Sequence, residues 1–235
     1  YAFSNAGGQI SLDSLVRFFS STTKLNVLLV SFFIGVLNTL LCLIIGYPLA
    51  YFLARKQYNT NTVLVLLFVM PMWINFVLRT GATRDLLTWI GINGGQYPYL
   101  ATMVGMVYNF LPFTILPLYS TMLKLDQSQI EAAADLGANP FQVFTKSILP
   151  QSLPGIVSAS TMVFMPTMSS YVISDVLSEG KITLFGNSIY LNFSSSQWND
   201  GSFMALIMLA IVGITLLISR RFNKDDMSAR GSNLW

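Results

Sequence analysis

From Val27 to Leu53 no residue carries a charge. A run of that length and apolarity crosses about 30 Å of hydrocarbon as a helix. In that medium every backbone N–H and C=O must be satisfied within the segment, so the run restricts the chain to membrane helices. Four further stretches meet the requirement with some polar interruptions: Thr62 to Leu78, Tyr99 to Leu123, Ser152 to Leu177 and Ser202 to Ser219. The second is the shortest and carries Pro71 in its middle, which predicts a kink or a continuation past Leu78. These runs predict an all-α polytopic membrane protein with five spans. Only 10% of the 235 residues are charged, against about a quarter in a soluble domain, which agrees.

Ahead of the spans, Ser11 to Ser20 places Leu12, Leu15, Val16 and Phe19 on one helical face and Asp13 and Arg17 on another. That pattern predicts a helix lying in the membrane interface. Short cytoplasmic loops collect Lys and Arg. Arg55, Lys56, Lys124, Lys146, Arg220, Arg221, Lys224 and Arg230 fall on one side, and the smaller set Arg17, Lys24, Arg79, Arg84 and Lys181 on the other. The larger set marks the cytoplasm. Residues 1–24 are then extracytoplasmic or interfacial, 25–222 form the membrane domain, and 223–235 are a cytoplasmic tail. An inside N-terminus requires a sixth span before residue 1.

Several chemistries are excluded. The chain has no histidine and one cysteine, Cys42. It therefore holds neither a histidine acid–base pair, nor a common zinc site, nor an internal disulfide. No GxSxG, phosphate loop or EF-hand pattern occurs, so no catalytic or metal-ligating residues are assigned. The net charge of +3 follows from basic residues beside spans, and nucleic acid is not expected as a partner.

Between the third and fourth spans lies a polar interlude, Asp126 to Pro150. Asp126 can cap a helix starting near Gln127, with Gln129 at the capping-box position. Ala132, Ala133 and Ala134 favour helix, and Gly137 stands where a helix ends in the left-handed conformation. Asn139 and Pro140 are a cap and first-turn pair for a second helix, whose run Pro150 and Pro154 limit. Phe141, Val143, Phe144 and Ile148 are available to bury. A helix, glycine elbow and helix placed there reads as a docking element for another protein. The plainer reading is an amphipathic interfacial helix.

Glu131-Ala132-Ala133, then Gly137, then Ile148-Leu149-Pro150 resemble the EAA loop of ABC importer permeases. Ser147 departs from the pattern, which commonly has an apolar residue there. Gly46-Tyr47-Pro48, Pro71-Met72-Trp73-Ile74-Asn75, Tyr108 with Leu111-Pro112-Phe113, Pro117-Leu118-Tyr119-Ser120 and Ser174-Asp175 are similar to the first permease subunit of spermidine/putrescine importers. The likeness runs from about Leu25 to Phe222. It implies the type I importer permease fold in a bacterial inner (plasma) membrane, with six spans. It also implies a second related permease, an ATPase dimer that binds the ATP and Mg, an extracytoplasmic polyamine-binding protein, and no cofactor in this chain. The residues it assigns to ATPase coupling are Glu131, Ala132, Ala133, Gly137, Phe141, Phe144, Leu149 and Pro150. Glu131 would pair with a basic group, Gly137 would allow the close turn, and Phe141 and Phe144 would be apolar anchors.

A polyamine path needs carboxylates for ammonium groups and aromatic faces for cation–π contact. Trp73, Asn75, Tyr108, Tyr171 and Asp175 are the candidates. Each has an ordinary structural alternative: interspan packing for Trp73, interfacial solvation or capping for Asp175. Asn38 and Asn109 are read as interhelical hydrogen-bonding groups, and Asp85 as a local partner of Arg84. Two other functions remain open on these residues: an ABC permease for another organic cation, a metal chelate or an inorganic anion, and a self-contained channel or secondary transporter.

Overall fold

A computed structural model describes residues 13–55 and 63–231, the side chains of 222–231 excepted. Helices account for almost all of it, and no strand occurs among the described residues. Thr22–Ala54 (α2, after α1 at Asp13–Ser20), Pro98–Met122 (α5) and Trp198–Arg221, the first part of Trp198–Gly231 (α11), are each long and apolar enough to cross a membrane. The expected first, third and fifth spans are therefore present, and the first and fifth run longer than the apolar pattern alone suggests.

The second span is both bent and longer than its apolar run, as Pro71 and its short length lead one to expect. Val63–Val69 (α3) runs into a 3₁₀ turn, Met70–Trp73, and Phe76–Trp89 (α4) then leaves at 98°. Pro71 removes an N–H and crowds the preceding turn. Asn75 then starts a new helix: its Oδ1 accepts from the N–H groups of Val77 at 2.9 Å and Leu78 at 3.4 Å. The expected kink is a corner, and the segment continues well past Leu78.

The fourth span is redrawn. After Gln127–Asp135 (α6), Pro140–Val143 (α7), a π-helical turn at Phe144–Ile148 and Leu149–Ser169 (α8) form one continuous rod. Pro150 and Pro154 do not limit it. A proline cannot donate to the carbonyl four residues back and its ring crowds that group. The widened turn, closed by Leu149 N–H to Phe144 O, spreads the backbone just where Pro150 enters. The expected outer end, Tyr171 to Leu177, is not part of this rod; Val172–Ser178 is a separate helix (α9). Phe185–Ser194 (α10) completes the order.

The described residues group into two units. The first draws on 13–39, 74–109 and 163–216. Its apolar centre is Phe18, Phe185, Phe203 and Met204, with the Phe18 and Phe185 rings edge to face at 6.3 Å. α1 thus buries Phe18 and leaves Val16 and Phe19 exposed, so its apolar residues serve two faces rather than the single one expected; Ser11 and Leu12 lie outside the described residues. Lys24 and Arg17 hold Asp200 at 2.7 and 3.1 Å. Asn38 donates to Thr167 at 2.8 Å, the interhelical bond expected of it. The second unit draws on 40–55, 63–73, 110–162 and 217–231. Ala50, Leu118, Met122 and Ala159 pack at its centre, beside Leu53, Val65 and Ile115. Small residues bring its helices close: a Cβ on Gly46 would come within 2.8 Å of Thr114.

Candidate functional site

The interlude folds as one short helix and the start of the rod, joined by a glycine elbow. The Asp126 carboxylate accepts from the Ser128 N–H at 3.0 Å and the Ser128 hydroxyl at 2.6 Å. The Ser128 hydrogen bonds hold its carboxyl below the ordinary carboxylate value. Gln129 does not complete the expected box. The Asp126 N–H goes instead to Gln151 Oε1 at 2.9 Å, and Gln151 Nε2 reaches Ser147 Oγ at 3.3 Å. Ser147, the departure from the family pattern, thus helps tie the start of α6 to the rod.

α6 ends in a Schellman arrangement. Gly137 has φ +83°, its N–H bonds Ala134 O at 2.9 Å, and the Ala138 N–H bonds Ala133 O at 3.2 Å. Across the elbow, Asn139 and Gln142 form a reciprocal capping box at 2.8 and 3.0 Å. The N-x-x-Q spacing carries that signal, and it extends the Asn139–Pro140 cap by a residue that the sequence reading leaves unassigned. Ile130, Val143 and Ile148 bury a shared apolar face.

The coupling candidates divide. Phe141 is 73% exposed, and so available to a partner. Phe144 faces inward: its ring meets Tyr47 edge to face at 5.7 Å, and the Tyr47 hydroxyl lies 2.8 Å from Ser152 Oγ. Tyr47 therefore joins α2 to the rod at the first residue of the π turn and again beyond its end. Glu131 and Ala132 are exposed, Ala133 turns toward the apolar face, and Glu131 accepts from Gln127 at 3.1 Å. Leu149 and Pro150 sit directly after the π turn. Leu136, absent from the sequence-based candidates, is 90% exposed beside the elbow. Its signal is an apolar side chain just before the C-terminal glycine of a helix.

Of the path candidates, Trp73 belongs to the second unit and Asn75, Tyr108, Tyr171 and Asp175 to the first. Trp73 is 81% exposed. Asn75 spends its acceptor on the α4 cap. Tyr171 stacks on Tyr190, with ring centres 4.8 Å apart and planes 9° from parallel. Asp175 is exposed on α9, which packs on α4. α9 ends with Glu179 at φ 53° and Gly180 at φ 75°, where the Gly180 N–H bonds Asp175 O at 2.9 Å. Asp85 pairs with Arg84 at 2.8 Å as expected. Arg79, counted among the basic residues of the outer side, is buried within α4 and bonded to Asn109.

Residues 11–225 match the model of the family described as binding-protein-dependent transport system inner membrane component. The spermidine/putrescine transport system permease protein PotB of Escherichia coli (strain K12) is 34% identical over 217 residues, covering 84% of this chain and 79% of that one. The PotB of Haemophilus influenzae is 35% identical over 201 residues, covering 79% of this chain and 70% of that one. Among solved structures, the inward-facing MetNI methionine ABC transporter aligns with a TM-score of 0.63 at 18% identity, over 87% of this chain and 98% of that one. A bacterial ABC transporter that imports alginate aligns with a TM-score of 0.59 at 18% identity, over 92% and 85%. At that identity the structural likeness shows the fold. The apolar spans, the ABC importer permease fold and the match over nearly all of the sequence agree, and the chain belongs to the family of binding-protein-dependent transport system inner membrane components.

Proposed function

We propose that the chain is the permease subunit of an ATP-driven importer of polyamines, spermidine and putrescine, working by alternating access. The observation that carries this reading is the 34% identity with a spermidine/putrescine permease over 84% of the chain. A separate ATPase dimer supplies the energy and binds ATP and Mg, since this sequence has no phosphate loop. A second, related permease completes the path, and an extracytoplasmic binding protein delivers the cargo. The ATPase holds the tip of the elbow. Glu131 pairs there with a basic group, Ala132 and Gly137 allow close approach, and Leu136 and Phe141 insert as apolar anchors. Ala133, Phe144, Leu149 and Pro150 keep the module stiff, and the Tyr47 contacts pass its displacement to α2. Trp73, Tyr108 and Tyr171 each offer an aromatic face and Asp175 a carboxylate to ammonium groups, while Asn75 caps α4.

The test is ATPase activity of the complete transporter in proteoliposomes with its binding protein and spermidine, putrescine or sulfate. Stimulation by a polyamine is expected. Stimulation by sulfate alone would make the chain a permease for another solute. Uptake that persists without any ATPase would make it a channel or secondary transporter.

A further inference from the structure

Arg79 lies on α4 one turn beyond the Asn75 cap, its N–H bonded to Asn75 O at 3.0 Å, and it is 8% exposed. A guanidinium stays charged at any physiological pH. Burying an ion is costly, and a buried ion beside a partly exposed aromatic ring is a candidate functional position. Its place is set from two sides. Nε donates to Asn109 Oδ1 at 2.9 Å, and Asn109 Nδ2 donates to the Gly105 carbonyl at 2.8 Å, so the amide is held with its oxygen toward the arginine. Cζ stands 5.8 Å from the centre of the ring of Tyr108, a residue that remains 43% exposed.

We propose that Arg79 is a specificity-determining residue: a fixed positive charge behind Tyr108 that opposes cationic cargo in proportion to the cargo's charge. The inference rests on the polyamine reading above. The Tyr108 ring attracts ammonium groups, but Arg79 already draws on its electron density, and Coulomb repulsion grows with every ammonium the cargo carries. A path must release what it admits. Tyr108 with Arg79 behind it is a weak station, weaker for a triamine than for a diamine, and the chain thereby discriminates among polyamines by charge.

The experiment compares kcat/KM for spermidine and putrescine uptake by the complete transporter in proteoliposomes, because kcat/KM reports the free energy from free cargo to the transition state. The ratio of the two is internal to each preparation and independent of recovery. Arg79→Gln keeps a donor for Asn109 and removes the charge. The spermidine-to-putrescine ratio should rise about threefold or more, the order expected for one unit of cargo charge about 10 Å from a fixed charge at a dielectric between protein and water. Arg79→Lys keeps the charge and should hold the ratio within about twofold of the parent, whereas a purely structural role of the guanidinium fork would move it as far as Gln does. Asn109→Asp sets a carboxylate against the arginine and should raise the ratio too, which covers the case in which Arg79→Gln does not assemble. A ratio that is unchanged or lower in the assembled neutralised variants overturns the inference while leaving polyamine import standing. A parent that imports neither amine overturns both.

Discussion

Whether a glycine here can be replaced depends on its φ and on what a Cβ would meet, and the chain offers a clear case of each. Gly137 has φ +83°, and a Cβ added there would find nothing within 4 Å, so within this chain only its backbone conformation requires glycine. Gly137→Ala should cost the elbow about 1 kcal/mol. Gly137→Asp adds a charge at the tip, and should cut both co-purification of the ATPase and uptake; unchanged recovery and transport would remove the docking role. Gly186 is the opposite case: a Cβ there would come within 2.2 Å of the Ser169 carbonyl oxygen. Gly186→Ala should destabilise by about 1–3 kcal/mol, read as a lower Tm in detergent, whereas Gly81→Ala, in open space, should leave Tm level or higher. Gly137 is legible in the sequence because its role is local, with three alanines before it and a cap after it. Gly186 is not, because its partner lies in another helix and no neighbouring residue announces it.

The same divide holds for whole elements. α6 and α7 are readable because caps and elbow are written in consecutive residues. The rod is not, because Pro150 signals a stop that the π turn at Phe144–Ile148 absorbs, and such a turn has no short-range signature here. The partnership of Tyr47 with Phe144 and Ser152 is equally hidden: the Gly46-Tyr47-Pro48 motif stands out, but nothing in it names residues about a hundred positions on. The contact also yields a prediction about coupling. Tyr47→Phe removes the hydroxyl bond to Ser152 Oγ, which lies at 2.8 Å, and should cost about 1 kcal/mol with transport retained. Tyr47→Ala also removes the ring against Phe144. If that ring transmits the displacement of the module, uptake per ATP hydrolysed should fall in Tyr47→Ala. An unchanged ratio of uptake to hydrolysis would show that the motion passes elsewhere.

At the scale of the whole molecule, the membrane class follows from run length alone, since charge-free segments of that size have few other folds open to them. The corner at Asn75 and the burial of Arg79 do not, because apolar periodicity reports how long a segment is and not where it bends. The sidedness inferred from Lys and Arg is open to a direct measurement, and the chain suits it. Its one cysteine, Cys42, is 0% exposed, so it should stay silent toward a membrane-impermeant maleimide. Leu136→Cys, on the elbow, should then react only when the cytoplasmic face is opened to reagent. Ser195→Cys, at the exposed end of α10, should react in intact spheroplasts. Labelling of Leu136→Cys in sealed cells would reverse the topology, and with it the assignment of the elbow to a cytoplasmic ATPase, because ATP is available to that partner on one side only.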